Sequence, residues 1–511
     1  MRPSKICLIL WIVIAMLAGV CLVVPADGWH IGTFNLRWPT LAKALDLQQD
    51  TIITQDSVLI ADIAAEETEI DEDAAPAPVT EKPTAPVAAI PPVPTPDTPA
   101  IDPRQYLRAF YDALPTAHNR QVRVVHYGDS QIEEDRITMV LRERLQDTYG
   151  GGGVGLIPLH QTIPTRSLHQ SLDMNGTFQT TQGGPKRYIV YGPKSMRLTT
   201  GDYGVMGQVA VMNDSVCAGS EDLRLITEPM DNGYSYNYFS QIRLLARGID
   251  AQVRPRRGGT YTLFNKGIAT LPDSTTRCEV RLQGRGRVYG LSLETPTGII
   301  VDNIPMRGSS GTVFTQIQRS QLTDFFEDTN TRLIIMQYGG NMIPQTENPS
   351  TISGYVKSLR RQVAYLRQCA PHAAILFIGP SDMSKRIDGE MTTNPLIPYM
   401  DRLLARMAHD EHIGYWSIYQ AMGGHNSMLS WQKRGLAGSD YVHFTRRGAD
   451  KIGDMLADWL LEIPDFQPVT SADTITTNPD TITILPTDSS QSPLFEGAGG
   501  VVGGVGSAAL P

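Results

Sequence analysis

The sequence is poor in cysteine, with five residues in 511. Cys7 and Cys21 lie in an apolar N-terminal segment, and the other three are Cys217, Cys278 and Cys369, widely separated and without a CxxC pair. This spacing excludes a disulfide framework or a cysteine-rich zinc site, so we expect buried thiols. Cys217 and Cys278 share a β-rich region and could pair. No group of His, Cys and acidic residues has metal-ligand spacing, so neither a metal nor another cofactor is predicted.

The sequence also lacks a basic excess. It contains 44 Lys and Arg against 53 Asp and Glu, which gives a formal net charge of −9 and a pI near 5.6. Proteins that bind nucleic acid draw much of their affinity from cations that neutralise phosphates. DNA and RNA are therefore not expected as partners, and the sequence does not indicate an oligomeric state.

Charge is absent from one long stretch near the N-terminus, ICLILWIVIAMLAGVCLVV, which covers residues 6–24 and follows Arg2 and Lys5. Its length suits a membrane-spanning helix and exceeds the usual apolar core of a secretory signal. We predict an uncleaved signal-anchor over residues 1–26, and the segment VPA at residues 24–26 leaves a cleaved signal as the alternative. The positive flank then stays inside, and the rest is periplasmic or extracytoplasmic, anchored to the inner membrane.

Composition divides the remainder into five parts. Residues 27–100 contain an acidic run and a Pro/Ala-rich tract, which predicts an extended, solvated linker. Residues 467–511 have too few large apolar side chains to bury a core, which predicts a disordered tail. Residues 101–159 and 296–466 alternate strand patterns with amphipathic helices, as in an α/β fold with a three-layer parallel sheet. Residues 160–295 have the short strands and turns of an antiparallel β-sandwich, so we predict an inserted β domain.

The first candidate for chemistry lies in VVHYGDSQIEEDRIT, residues 124–138. The pattern predicts a strand, a turn at GDS, and a helix that begins directly afterwards. Ligands bind at this edge of an open α/β sheet, and free N–H groups at a helix N-terminus stabilise an anion. Ser130 is therefore a candidate nucleophile, with Asp129 anchoring the turn by accepting backbone hydrogen bonds. The alternative is an ordinary helix cap.

Three further segments contain candidate partners for this serine. In GSDYVHF, Asp440 precedes His443 by three residues, a spacing at which a carboxylate can orient an imidazole that acts as a base. In QYGGNMIP, Asn341 follows a predicted strand and can donate to an oxyanion. In VDNIPMRGSSG, Gly308 can present an unobstructed N–H, and Gly311 is the alternative. Each residue type is also common in loops.

The order of these blocks, Ser, Gly, Asn and Asp-x-x-His, resembles that of the SGNH (GDSL-type) hydrolases. YGDSQIEED, the inserted β region, IVDNIPMRG and GSDYVHFTRRG look most like the peptidoglycan O-acetylesterases that carry an inserted carbohydrate-binding-type β module. The resemblance implies that Ser130 is the nucleophile, His443 its base and Asp440 the group that orients the base. It also implies an oxyanion hole formed by the Ser130 N–H, the Gly308 N–H and the Asn341 side chain.

The activity implied by the resemblance is removal of O-acetyl groups from a cell-wall polysaccharide, peptidoglycan first, through an acyl-enzyme. Two alternatives stay open: an acetyltransferase or acetylesterase acting on another surface glycan, and a non-catalytic wall-binding protein. Gln131 departs from the pattern, because many relatives have Leu or His there, and we expect it to alter the rim of the pocket but not the triad. The remaining histidines, including His126, are expected to be structural.

Overall fold

The computed structural model describes residues 29–31, 34–36, 101–159, 161–174, 185–212, 221–226, 238–255, 257–264 and 266–466. The chain divides into a unit of residues 1–465 and a unit of residues 466–511, and of the second only Phe466 is described. The predicted signal-anchor, most of the predicted linker and the predicted tail lie outside the described residues. Among the helices that the structure describes, none is both long and apolar enough to cross a membrane.

Strands dominate the middle of the sequence and helices dominate the end. The strands are β1 (Trp29–Ile31), β2 (Phe34–Leu36), β3 (Gln121–Gly128), β4 (Gly155–Ile157), β5 (His169–Met174), β6 (Lys186–Ile189), β7 (Gln208–Met212), β8 (Glu221–Ile226), β9 (Phe239–Pro255), β10 (Tyr261–Phe264), β11 (Ile268–Thr275), β12 (Arg277–Glu294), β13 (Gly298–Pro305), β14 (Thr331–Gln337), β15 (Ala374–Gly379), β16 (Ser384–Ile387), β17 (Glu390–Thr393) and β18 (Gly414–Ser417). The α-helices are α1 (Arg108–Tyr111), α2 (Thr138–Tyr149), α3 (Arg319–Asp328), α4 (Pro349–Cys369), α5 (Leu396–Asp410), α6 (Ile418–Met422), α7 (Ser427–Lys433) and α8 (Arg446–Leu461).

Five parallel strands form the central sheet, in the order β13-β3-β14-β15-β18. Their sequences are nearly continuous apolar runs, such as AILFIG in β15, because both faces of a parallel sheet are covered. By chain order the arrangement is 2-1-3-4-5, a doubly wound sheet whose switch point lies at β3. The ends of β13 and β14 are level with that of β3, since Pro305 and Gln337 both pair with Gly128.

Helices cover both faces of this sheet. On one face, Leu359 and Val363 of α4 share a core with Val125 of β3. His126, the next residue along β3, contacts Thr138 of α2. Successive side chains of a strand point to opposite faces, so α2 lies on the other face, where α8 packs against it. Apart from the start of α2, the strands and helices predicted from apolar periodicity in this domain are confirmed.

The inserted module is antiparallel throughout its described strands. Strands β9 and β12, of 17 and 18 residues, pair along most of their length, and the other edge of β12 pairs with β8, β7 and β4 in turn. Phe239, Ile242, Val253, Val280 and Leu291 belong to its separate apolar core. The predicted fold class, a parallel α/β domain with an inserted antiparallel β module, is confirmed. The boundaries at 159/160 and 295/296 stay predictions.

A buried ionic cluster joins the module to the central sheet. The Arg123 guanidinium of β3 pairs with Asp302 of β13 at 2.7 Å and with Glu294 of β12, and all three side chains are fully buried. Arg243 of β9 also pairs with Glu294, with a nitrogen-to-oxygen distance of 3.1 Å. Two of the four groups, Arg123 and Glu294, therefore have a partner in the other domain, which couples the two domains.

Two smaller features bear on the predictions. A short antiparallel pair, β1 with β2, lies within the segment predicted to be a linker. Cys278 and Cys369 are buried free thiols, and Cys217 lies outside the described residues.

Candidate active site

Ser130 lies just beyond the carboxyl end of β3, as predicted, but the helix after it is different. Residues 130–135 form a short 3-10 segment with a kink, and α2 begins only at Thr138. Glu134 and Asp135 have φ of 59° and 62°, which is left-handed backbone. The Asp135 carboxylate pairs with Arg142 at 2.6 Å in the interior and also accepts from Ser167 Oγ at 2.5 Å, a contact from another part of the chain. The prediction of a helix beginning directly after GDS is wrong.

A chain of hydrogen bonds links Ser130 to two side chains of a turn that lies 313 residues further along the chain. Ser130 Oγ lies 3.0 Å from His443 Nε2, and His443 Nδ1 lies 2.7 Å from Asp440 Oδ2. A carboxylate only accepts, so Nδ1 carries the imidazole proton and Nε2 presents its lone pair to the serine hydroxyl. This is the geometry required for a nucleophile and its general base.

The turn that carries His443 is held by Asp440, an acidic residue of the same turn. Asp440 Oδ1 accepts from the backbone N–H groups of Val442 and His443, at 3.0 and 3.1 Å. Partial burial raises the pKa of Asp440, but the hydrogen bonds from the His443 ring and these two amides outweigh it and leave the pKa below its ordinary value. The carboxylate therefore stays ionised beside the imidazole. Tyr441, between the two, has φ of 57°, a costly conformation for a residue with a large side chain.

Asn341 and Gly308 flank the serine on the two neighbouring strand ends. Asn341 lies in a short 3-10 turn after β14, and its Nδ2 donates to the Ser309 carbonyl at 3.1 Å. That bond orients the amide and leaves the second N–H of Nδ2 available to another acceptor. Gly308 follows β13, is exposed, and has φ of 71°.

These groups open onto a cleft of about 540 Å³. Ser130, His443, Asp440 and Asn341 line it, and Gly308 is not among its lining residues. The cleft is open to solvent beside His443 and Asp440, whose side chains are 37% and 34% exposed. Gly340 lines it instead, next to Asn341, and the GG pair of QYGGNMIP is the sequence signal that could have indicated this residue. Among the described residues, no group of three or more potential ligands could hold a metal ion.

His126 is buried behind the nucleophile turn. Its ring nitrogens lie 2.9 Å from Thr138 Oγ1 and 3.1 Å from Gln337 Oε1. Burial lowers its pKa to about 3, so the ring is neutral at physiological pH. His126 is structural, as predicted.

Asp129 caps the turn from a buried position. Its Oδ1 accepts from the Gln131 N–H at 3.0 Å, the backbone contact that the sequence indicated. Burial raises its pKa to about 6, although the Gln131 amide and the nearby His443 oppose the shift.

This pKa predicts a pH-dependent stability. Between pH 4 and 6 the folded state holds a proton on Asp129 that the unfolded state has released, so the free energy of unfolding should fall as pH rises. Two units correspond to roughly 3 kcal/mol. In chemical denaturation at several pH values, wild type should lose this amount relative to Asp129→Asn, with no further change above pH 7. Parallel pH curves for the two proteins would contradict the assignment.

The order of the parallel strands and the position of the hydrogen-bonded chain at the sheet edge together define a fold class. The chain has the fold of the SGNH hydrolases, with the Ser-His-Asp chain at the switch point of the parallel sheet and an antiparallel β module inserted. No family model and no curated protein matches it. A solved structure of a peptidoglycan O-acetylesterase is similar over 70% of this chain and 95% of its own, with 22% identity and a TM-score of 0.53.

Two other solved structures are similar over smaller parts. A catalytic mutant of an acetylxylan esterase from Geobacillus stearothermophilus matches 34% of this chain and 76% of its own, with 17% identity and a TM-score of 0.23. The periplasmic domain of a lipopolysaccharide acetyltransferase from Salmonella ser. Paratyphi A matches 32% of this chain and 72% of its own, with 14% identity and a TM-score of 0.23.

Proposed function

We propose that this protein is an exported serine esterase that removes O-acetyl groups from a cell-wall polysaccharide, with peptidoglycan as its first substrate. The observation that carries the proposal is the continuous hydrogen-bonded chain from Ser130 through His443 to Asp440, opening on the cleft. The fold likeness to a peptidoglycan O-acetylesterase, which covers 70% of this chain, supports the choice of substrate. The apolar N-terminal segment supports export and membrane anchoring.

The proposed reaction has two halves. His443 Nε2 takes the Ser130 hydroxyl proton while Oγ attacks the acetyl carbonyl, and the tetrahedral intermediate collapses when His443 returns the proton to the departing sugar oxygen. Water, activated by the same nitrogen, then cleaves the acyl-enzyme to acetate and restores the serine. Asp440 holds the Nδ1–H tautomer and stabilises the imidazolium in both halves.

The oxyanion of each tetrahedral intermediate needs donors that already point at it. We assign this role to the free Nδ2–H of Asn341, whose other N–H is fixed on Ser309. The Ser130 and Gly308 backbone N–H groups complete the set in this proposal. Of these three residues, Ser130 and Asn341 line the open cleft and Gly308 does not.

The direct test is acetate release from three substrates: O-acetylated peptidoglycan, acetylated xylan and an aryl acetate. We expect release from all three, with the highest kcat/KM on peptidoglycan. A preference for xylan would overturn the substrate assignment, and transfer of acetyl to an added sugar in preference to water would make the protein a transferase. Binding to wall material with no release from any ester would show a non-catalytic protein.

Asp440→Asn should lower kcat by about 10³ to 10⁴-fold, because an amide can donate to Nδ1 and so favour the wrong imidazole tautomer. Esterase kinetics with the aryl acetate measure this. Asp454→Asn is the matched control, since Asp454 is an exposed acid of α8 that pairs with Arg144. Full activity in Asp440→Asn would remove Asp440 from the mechanism.

A further inference from the structure

Gln131, the residue after the serine, spans the gap between the nucleophile turn and the turn that carries the base. Its backbone N–H donates to Asp129 Oδ1, and its side-chain Nε2 donates to the Val442 carbonyl at 2.9 Å. Val442 directly precedes His443. One residue is therefore bonded both to the cap of the first turn and to the backbone of the second.

We propose that Gln131 is a positioning residue that holds the base turn where His443 Nε2 reaches Ser130 Oγ. The inference rests on the proposed esterase function. Ser130 and His443 are 313 residues apart in the chain, so no local backbone geometry sets their separation. A displacement of about 1 Å at such a contact can lower a rate about 100-fold.

The base turn needs an external contact because its backbone is strained at Tyr441. Asp440 accepts from the backbone N–H groups of Val442 and His443, and Gln131 donates to the Val442 carbonyl, which lies between these two N–H groups in the chain. A second bond between the two segments, from Arg136 Nη1 to the Phe444 carbonyl, is longer, at 3.4 Å. The Gln131 bond is thus the closer one, and it lies next to the base.

The other end of the Gln131 carboxamide indicates that this contact is not kept for stability. Val442 O only accepts, so the amide orientation is determined, and Oε1 is left buried with no hydrogen-bond partner in the described part of the chain. A buried unpaired acceptor destabilises a fold. Replacing the amide with an apolar group of similar shape removes this unpaired oxygen but also leaves the Val442 carbonyl without its donor, so the two effects oppose each other and stability should change little while activity falls.

Two variants test this on the full-length protein. Gln131→Met should lower kcat for an aryl acetate about 10 to 100-fold, with KM little changed and the thermal midpoint close to that of wild type. Gln131→Glu is isosteric but cannot donate to Val442 when ionised. As pH falls, the introduced carboxyl is protonated and its O–H can again donate to Val442. The ratio of the Gln131→Glu kcat to the Gln131→Met kcat should therefore rise as pH falls. Gln362→Met is the control, because Gln362 is a buried glutamine of α4 that bonds Thr315, and its kcat should be unchanged.

A readout without turnover separates this inference from the proposed function. The Nδ1 proton of His443, observed by NMR in histidine-labelled protein, should shift or broaden in Gln131→Met and stay unchanged in Gln362→Met. Full kcat in Gln131→Met, a parallel loss of kcat and stability, or an unchanged His443 signal would overturn the positioning role. If wild type releases no acetate, the esterase proposal fails and the His443 signal still decides whether Gln131 positions the base.

Discussion

Ser130→Ala should lower kcat for acetate release by roughly 10⁵ to 10⁶-fold, the largest effect expected of any single change in this protein. Without Oγ there is no acyl-enzyme, and His443 Nε2 loses the group it deprotonates. Residual activity should come only from the oxyanion donors and substrate binding. Acetate release from the aryl ester, followed with excess enzyme, measures the loss.

This loss should be specific to chemistry. Ser130 is only partly buried, so the alanine variant should unfold at the same denaturant concentration as wild type. Ser350→Ala is the matched control: Ser350 is an exposed residue in the first turn of α4, and its removal should leave kcat unchanged. Wild type quenched during turnover should carry one acetyl group on the peptide that contains Ser130. Wild-type rates in Ser130→Ala would exclude the nucleophilic mechanism.

Arg123→Met should destabilise the folded protein by about 3 to 5 kcal/mol. The substitution keeps much of the side-chain volume but leaves Asp302 and Glu294 buried without their shared cation. In this variant Glu294 still pairs with Arg243, whereas Asp302 has lost the cation it pairs with, so the Asp302 carboxylate is destabilised the most. The free energy of unfolding, measured in urea by tryptophan fluorescence, tests this.

The matched control is a cation whose partners lie in solvent. Arg144 of α2 pairs with Asp454 and Asp458 of α8, and the acids are 55% and 67% exposed. Arg144→Met should cost less than about 1 kcal/mol, because water screens exposed ion pairs. Equal losses in the two variants would show that the Arg123 cluster does not stabilise the contact between sheet and module. Adding Asp302→Asn to Arg123→Met should recover part of the loss, since Glu294 keeps Arg243 as its partner and no buried carboxylate of the cluster then lacks a cation.

Most of the fold could be predicted because the relevant signals are local. Apolar runs such as AILFIG indicate buried strands wherever they occur, and the stripe from Ile352 to Leu366 in α4 has a helical period. Asn348 and Pro349 also mark the start of α4, as N-cap and first helical residue. The grouping of Ser130, Asn341 and Asp440-x-x-His443 rested on the resemblance of their order to that of the SGNH hydrolases.

Other features depend on contacts between distant residues. IEEDRIT has ordinary helical composition, yet α2 starts late, and Asp135, in left-handed backbone, accepts from Ser167 Oγ, 32 residues away. The sequence indicated that Gln131 was unusual, but its bond to Val442 exists only because two turns 311 residues apart meet.

The sequence by itself determined the strands and helices, the insertion of a β module and the residue types of the candidate site, because each depends on neighbours along the chain. The tertiary structure decided the 3.0 Å contact between Ser130 and His443, the position of Gly308 outside the open cleft, and the ionic cluster that joins the two domains. The physical reason is that hydrogen bonds and buried ion pairs require distances that are correct to within a fraction of an ångström. The sheet sets these distances by bringing distant groups together, and periodicity and composition do not encode them.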